Sequence, residues 1–248
     1  MQNIFSHAGP TKNSTNVLLK SLSNVLNITS LKFFTARSAM QVTSIVAPRI
    51  ALKQALDRFV TPPRFGYSAQ EKKLIDGAEC INIAFQHGDK KGREFANHVA
   101  NLAVWRIGEV HHPVVTMCHG WGGRGVQLRA FVPALLAADY QVVIFGHLAH
   151  SLSDGRRAAL VDFWRGVEVV WDAMLDRRYR VDGMVAHSLG GAAVGSALCR
   201  SLDRVHQHAP MPRVVLIAPP ASLIRYSKLP ARYVGISERV RRAMQWRF

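Results

Sequence analysis

From Glu79 to Phe85 the chain alternates apolar and polar positions (Glu-Cys-Ile-Asn-Ile-Ala-Phe), and residues 102–107 are similarly short and alternating. A period of two predicts strands with one covered face, as at a sheet edge. Four later runs are continuously apolar: Pro113–Cys118, Gln141–Phe145, Val181–Ala186 and Arg213–Ala218. Between them lie helical stretches at 126–138, 157–176 and 190–203. In the second, Leu160, Phe163, Trp164, Val167, Val170, Trp171 and Met174 recur at steps of three and four and form one apolar stripe. Continuous apolar strands separated by helices predict an α/β fold, a mostly parallel sheet covered by helices. Thr61-Pro62-Pro63 ends any helix before it. The pattern divides the chain into an N-terminal helical arm or leader (1–70), an α/β core (71–220) and a C-terminal segment (221–248).

At 248 residues and 48% hydrophobic, the chain is long enough for one α/β domain with a sizeable core. No apolar run reaches the roughly 18 residues of a membrane span, so no transmembrane segment is expected. The formal charge is +16. It is spread as pairs such as Arg156-Arg157, Arg177-Arg178 and Arg241-Arg242, with no aromatic-interleaved basic motif. That predicts a solvated basic surface and no specific nucleic-acid binding. Cys80, Cys118 and Cys199 are odd in number and widely spaced, so buried reduced thiols are expected, without a disulfide or zinc site. The first 56 residues hold no Asp or Glu. They are rich in Ser, Thr and Asn, which fits an arm packed on the domain or an organelle-targeting leader. A cytoplasmic location is the primary expectation.

Candidate chemistry centres on Val185-Ala186-His187-Ser188-Leu189-Gly190-Gly191, which joins an apolar strand to a stretch of small residues. This is the form of a nucleophile elbow. The turn lifts a serine hydroxyl clear of the sheet and brings the residues two before and two after it together, so Ala186 and Gly190 must be small. A second cluster, His119-Gly120-Trp121-Gly122-Gly123, follows the strand ending at Cys118. Its glycines let backbone amides turn toward a site beside the elbow. The amides of Trp121 and Leu189 are the candidate oxyanion donors, and His119 and Gly120 are read as ordering the loop. Gly120-x-Gly122-x-x-Gly125 also matches a dinucleotide fingerprint, but that chemistry needs an acid after the next strand, where Gly146-His147-Leu148 stands. No cofactor or metal is expected.

These motifs, some 70 residues apart, resemble the α/β-hydrolase family over about residues 79–220, with what looks like the start of a lid after Pro219-Pro220. The resemblance implies a mostly parallel eight-stranded sheet and hydrolysis of an ester or related acyl bond in a small-molecule substrate. It places Ser188 at the nucleophile and Trp121 and Leu189 at the oxyanion positions. One loop departs from the family pattern. Where many relatives resemble Asp-x-Pro-Gly-His-Gly-x-Ser, this chain reads Gly146-His147-Leu148-Ala149-His150-Ser151-Leu152-Ser153, matching only at His150 and Ser153.

The family order, serine then acid then histidine, is not completed. Beyond Ser188 the acids are Asp203 and Glu238 and the histidines are His206 and His208. All but Glu238 precede the strand at 213–218, on a connection expected at the far end of the sheet. His187 should face away from the Ser188 site, and His150 is the better substitute base. The expectation is therefore a serine hydrolase whose last strands are missing and whose activity is impaired. The alternative is a non-catalytic hydrolase-like binding protein. Without further strands, the segment at 213–218 would be an exposed edge open to self-association.

Overall fold

The computed structural model describes residues 33–87, 98–201 and 210–245. They fall into two compact units. One spans residues 56–223; the other joins residues 33–55 to residues 224–245.

The larger unit is built on a six-stranded sheet in the order β1-β2-β4-β3-β5-β6. Strands β1 (Glu79–His87) and β2 (His98–Ile107) pair antiparallel from Glu79↔Arg106 to His87↔His98. Both run longer than the alternating pattern indicated, because hairpin pairing carries polar positions along with apolar ones. Strand β2 is also antiparallel to β4 (Gln141–Phe145). Strand β3 (Val114–Cys118) lies parallel between β4 and β5 (Val181–His187), and β6 (Arg213–Ile217) adds parallel to β5.

Strands β3 and β4 are buried along their whole length, the burial that continuous apolar runs predict. Val143 and Phe145 face a core with Phe163, Val167, Trp171 and Met174. Val142 and Ile144 face the opposite core with Val126, Leu128 and Val132. Each layer buries residues that a half-exposed sheet would leave polar.

Among the described residues, four helices belong mainly to this unit: α3 (Ala69–Asp76), α4 (Val132–Ala137), α5 (Leu160–Asp176) and α6 (Leu189–Arg200). The helix predicted at 126–138 is instead a 3-10 helix over Gly125–Phe131 followed by α4. Pro133 explains the break, since it has no N–H to continue a preceding helix but suits the first turn of a new one. Helix α5 starts at Leu160 rather than 157, where Asp162 accepts a hydrogen bond from the Ala159 amide at 2.7 Å.

At β6 the character changes. Val214, Val215 and Leu216 are exposed, and among the described residues β6 has a strand neighbour on one side only. The described residues thus carry six of the eight strands that the resemblance implied. All three cysteines are free; Cys118 is buried as expected, but Cys80 and Cys199 are exposed. Cys80 points outward from edge strand β1, and Cys199 lies in the last turn of α6.

In the second unit, helical residues 33–46 form α1, followed by α2 (Pro48–Val60), whose last turns enter the larger unit. The C-terminal segment supplies α7 (Leu223–Tyr226), α8 (Lys228–Tyr233) and α9 (Glu238–Gln245). The rings of Phe33 and Tyr233 lie 4.6 Å apart. Gly235, at φ 81°, presses on the backbone carbonyl of Arg37 where a side chain would not fit. The arm and the C-terminal segment, separate in sequence, thus share one unit. No helix among the described residues is long and apolar enough to cross a membrane.

Candidate active site

Ser188 links β5 to α6 with φ 52° and ψ −125°. An L-residue reaches that region only under strain, and strain of this kind concentrates at functional turns. The turn is held from both sides: the Ser188 amide donates to Ile217 O at 2.9 Å, and the Gly191 amide donates to Ser188 O at 2.9 Å. Crowding explains the small residues. A methyl group at Gly190 would overlap the His119 carbonyl oxygen and lie 2.8 Å from that of Cys118, while one at Gly120 would lie 2.9 Å from Ser188 Cβ. Ala186 is fully buried. Ser188 Oγ makes no hydrogen bond among the described residues, and His187 is exposed.

The loop after β3 packs directly against this elbow. His119 Nε2 accepts from the His147 amide at 3.1 Å, which fixes the proton on Nδ1, where it donates to Gly120 O at 2.7 Å. Gly120 O also accepts from the Gly123 amide at 3.0 Å, closing the turn that carries Trp121. Neither the Trp121 nor the Leu189 amide donates to an acceptor among the described residues, as an oxyanion donor requires before substrate arrives. Gly125 packs on the backbone of Phe145, 2.8 Å from its oxygen at the position a Cβ would take. The third glycine of the dinucleotide-like string therefore serves close packing, and a 3-10 helix follows it rather than a long helix with its N-terminus aimed at a phosphate.

His119, His147 and His150 form a buried group around Phe163. His147 stacks on Phe163 at 4.0 Å, and the His119 ring lies 4.8 Å from His147 and 5.3 Å from His150. Burial pushes the imidazole pKa of His119 down to about 3 and that of His150 down to about 4; His147 is also held well below the ordinary histidine value. All three are neutral at neutral pH. His150 donates Nδ1–H to Leu148 O at 2.8 Å, leaving an unpartnered lone pair on Nε2. The Trp121 ring sits edge-on to it at 5.0 Å.

The chain N-terminal to β1 braces both loops, which the sequence did not foretell. Arg64 donates to the carbonyls of Ala149 (3.1 Å), Ser153 (2.9 Å) and Gly155 (2.7 Å). Tyr67 OH is hydrogen-bonded to Ser151 Oγ. Arg124, just past the Gly122-Gly123 turn, reaches both oxygens of Glu71 at 2.9 and 3.1 Å. Burial acts to raise the Glu71 carboxyl, but hydrogen bonds from Ser68 and Arg124 outweigh it and hold the pKa below the usual carboxylate value. Ser153 Oγ donates to Gly146 O at 2.7 Å and accepts from the Ala103 amide at 2.9 Å. All but the Ser153–Gly146 and Ser68–Glu71 bonds join segments 50 to 91 residues apart, so no local pattern signals them.

Asp203, His206 and His208 lie outside the described residues. Glu238 is exposed and engaged by Arg241 and Arg242, which hold its carboxyl down to about 2. Among the described residues, no group of His, Cys, Asp and Glu could hold a metal ion. A surface cleft lined in part by His111, Pro113, Arg178 and Tyr179 lies at the opposite end of the sheet, where β3 and β5 begin.

No family model matches the sequence. An esterase of Pyrococcus furiosus superposes with a TM-score of 0.52 at 21% identity, over 70% of this chain and 61% of the esterase. Another crystal form of that esterase gives 0.51 at 19%, over 74% and 69%. These likenesses show the fold, that of the α/β-hydrolases. In sequence, an uncharacterised 31.7 kDa Escherichia coli protein from the traX-finO intergenic region is 30% identical over 99 residues, 36% of this chain and 34% of that protein. The chain thus spans about a third of this curated relative and about three fifths of the esterase in its first crystal form.

Proposed function

We propose, from the α/β-hydrolase fold of this chain, that Ser188 is an acyl-transfer nucleophile acting on an ester or related acyl bond of a small molecule. The observation that carries this reading is the strained backbone of Ser188 at a strand-to-helix turn, with unengaged amides at Trp121 and Leu189 beside it. In the reaction Ser188 Oγ attacks the acyl carbon and its proton passes to a base. The two amides hold the oxyanion until the leaving group departs, and water then releases the acyl group. His119 and Gly120 position the Trp121 amide.

The base is the weak part of the machinery. Downstream of β6 the sequence has one acid, Glu238, and no histidine. His119 cannot serve, because its lone pair already accepts from His147. His150 offers a free lone pair on Nε2, but a pKa of about 4 makes it a poor proton acceptor. In subtilisin, loss of the triad histidine costs about 10⁶ in turnover, and the oxyanion hole and binding still leave about 10³ to 10⁴ over water. With His150 as the base, slow acylation and slower turnover are expected.

A fluorophosphonate probe tests the reading. Covalent labelling of the folded protein, lost in Ser188→Ala, supports a nucleophile. A folded protein that no such probe labels overturns it and favours the second reading, a non-catalytic binding protein. The exposed β6 supports that second reading, since its edge, unpaired among the described residues, and the exposed Val214, Val215 and Leu216 suit an added strand from a partner or a second copy. Concentration-dependent association, measured by sedimentation and lost in Val215→Lys, would establish the latter.

A further inference from the structure

Helix α1 is apolar on the wrong side for a helix that only packs inward. At 3.6 residues per turn, Phe34, Val42, Ile45 and Val46 fall within about 120° of one another. All four are exposed, with Phe34 at 61%, Val42 at 60%, Ile45 at 73% and Val46 at 78%. Two small polar residues, Ser38 and Thr35, both exposed, also lie on this face. The opposite side carries Met40 and Ser44, both buried. On α2, Ile50 is 56% exposed, and Arg49 and Lys53, within one turn of it, are exposed too. Single exposed apolar residues need no explanation, but a strip of them along one helix face marks a surface that something covers.

The charge around the strip selects the occupant. Between them, residues 33–55 and 224–245 hold nine Lys and Arg side chains and one carboxylate. That carboxylate, Glu238, is already engaged by Arg241 and Arg242. Tyr226 and Tyr233, a residue type that favours the bilayer interface, are also exposed in this unit. An apolar helical face beside an excess of cations, with Glu238 engaged by Arg241 and Arg242 and the exposed Asp57 farther along α2 paired with Arg157, matches the chemistry of interfacial helices on anionic lipid. We infer that the unit formed by residues 33–55 and 224–245 docks the protein peripherally on anionic bilayer surfaces, inserting the Phe34–Val46 strip while Arg49 and Lys53 meet lipid headgroups.

Vesicle co-sedimentation of the full chain tests this, comparing phosphatidylcholine vesicles with vesicles containing about one third phosphatidylglycerol. Binding should be about tenfold or more stronger to the anionic vesicles and should fall steeply at about 0.5 M salt, where headgroup attraction is screened. The variant Val42→Asn/Ile45→Asn/Val46→Asn changes exposed positions only and should keep the wild-type circular dichroism and melting curve. It should nonetheless bind anionic vesicles at least about tenfold less. Arg49→Gln/Lys53→Gln should lose most of the preference for anionic lipid, and Ser188→Ala should bind as wild type, which separates docking from acyl transfer. Equal binding to both vesicle types, no binding to either, or undiminished binding by the Asn variant would overturn the inference. So would a self-association that the Asn variant abolishes in a protein that ignores vesicles, since the strip would then meet a second copy.

Discussion

Gly190 lies so close to the carbonyl oxygen of His119 that no side chain fits between the Ser188 turn and the loop after β3. The neighbour is backbone, held in β3 and its following turn, and cannot swing aside. Gly190→Ala should therefore cost about 3 kcal/mol or more, by urea denaturation. Gly195, further along α6, has open space around it. Gly195→Ala should raise stability by about 0.5 to 1 kcal/mol. If the two variants were equally destabilised, close packing at the elbow would not be the cause.

Ser188 provides a second contrast. At ordinary helical or extended positions alanine is more stable than glycine, because glycine loses more freedom on folding. At φ 52° and ψ −125° the order should invert, with Ser188→Gly more stable than Ser188→Ala by about 1 kcal/mol. Both variants should lose fluorophosphonate labelling, so stability and reactivity separate at one residue.

The buried imidazoles make stability fall in acid. His119, His147 and His150 all have folded-state pKa values below the 6.5 of the free side chain. Below pH 6.5 the unfolded chain therefore binds protons that the folded chain refuses, and unfolding gains free energy. The contribution is complete above pH 6.5. It is lost as pH falls toward about 4 for His150 and about 3 for His119. Each histidine adds about 1.4 kcal/mol per pH unit to the slope in that window. His147, with both ring nitrogens unpartnered and its ring stacked on Phe163, isolates one share. His147→Phe should flatten the dependence of unfolding free energy between pH 6 and 5 by about 1.4 kcal/mol per unit, by urea melts.

Glu71 is 3% exposed and holds Arg124 beside the Gly122-Gly123 turn. Glu71→Gln keeps the shape but leaves the guanidinium without its counter-charge. A loss of about 2 to 4 kcal/mol is expected, with Arg124 partly reached by water. If the oxyanion loop depends on this brace, the labelling rate of Ser188 should fall as well. An unchanged rate in a destabilised but folded Glu71→Gln protein would confine the pair to stability.

What the sequence determined by itself was local or periodic. Continuous apolar runs identified β3, β4 and β5, because a strand covered on both faces leaves no polar positions; β6, read from the same kind of run, is exposed. The small residues around Ser188 identified the elbow, because one tight turn imposes its own spacing. The helix expected at 126–138 is two shorter pieces, divided near Pro133, because the apolar pattern there does not register the break. Only the tertiary structure decided the rest. The brace from Arg64, Tyr67 and Glu71 joins segments that no window spans, and the neutral His119-His147-His150 group depends on burial around Phe163. Nor could sequence say which face of α1 points outward. Packing buries Met40 and Ser44 and leaves Phe34, Val42, Ile45 and Val46 exposed.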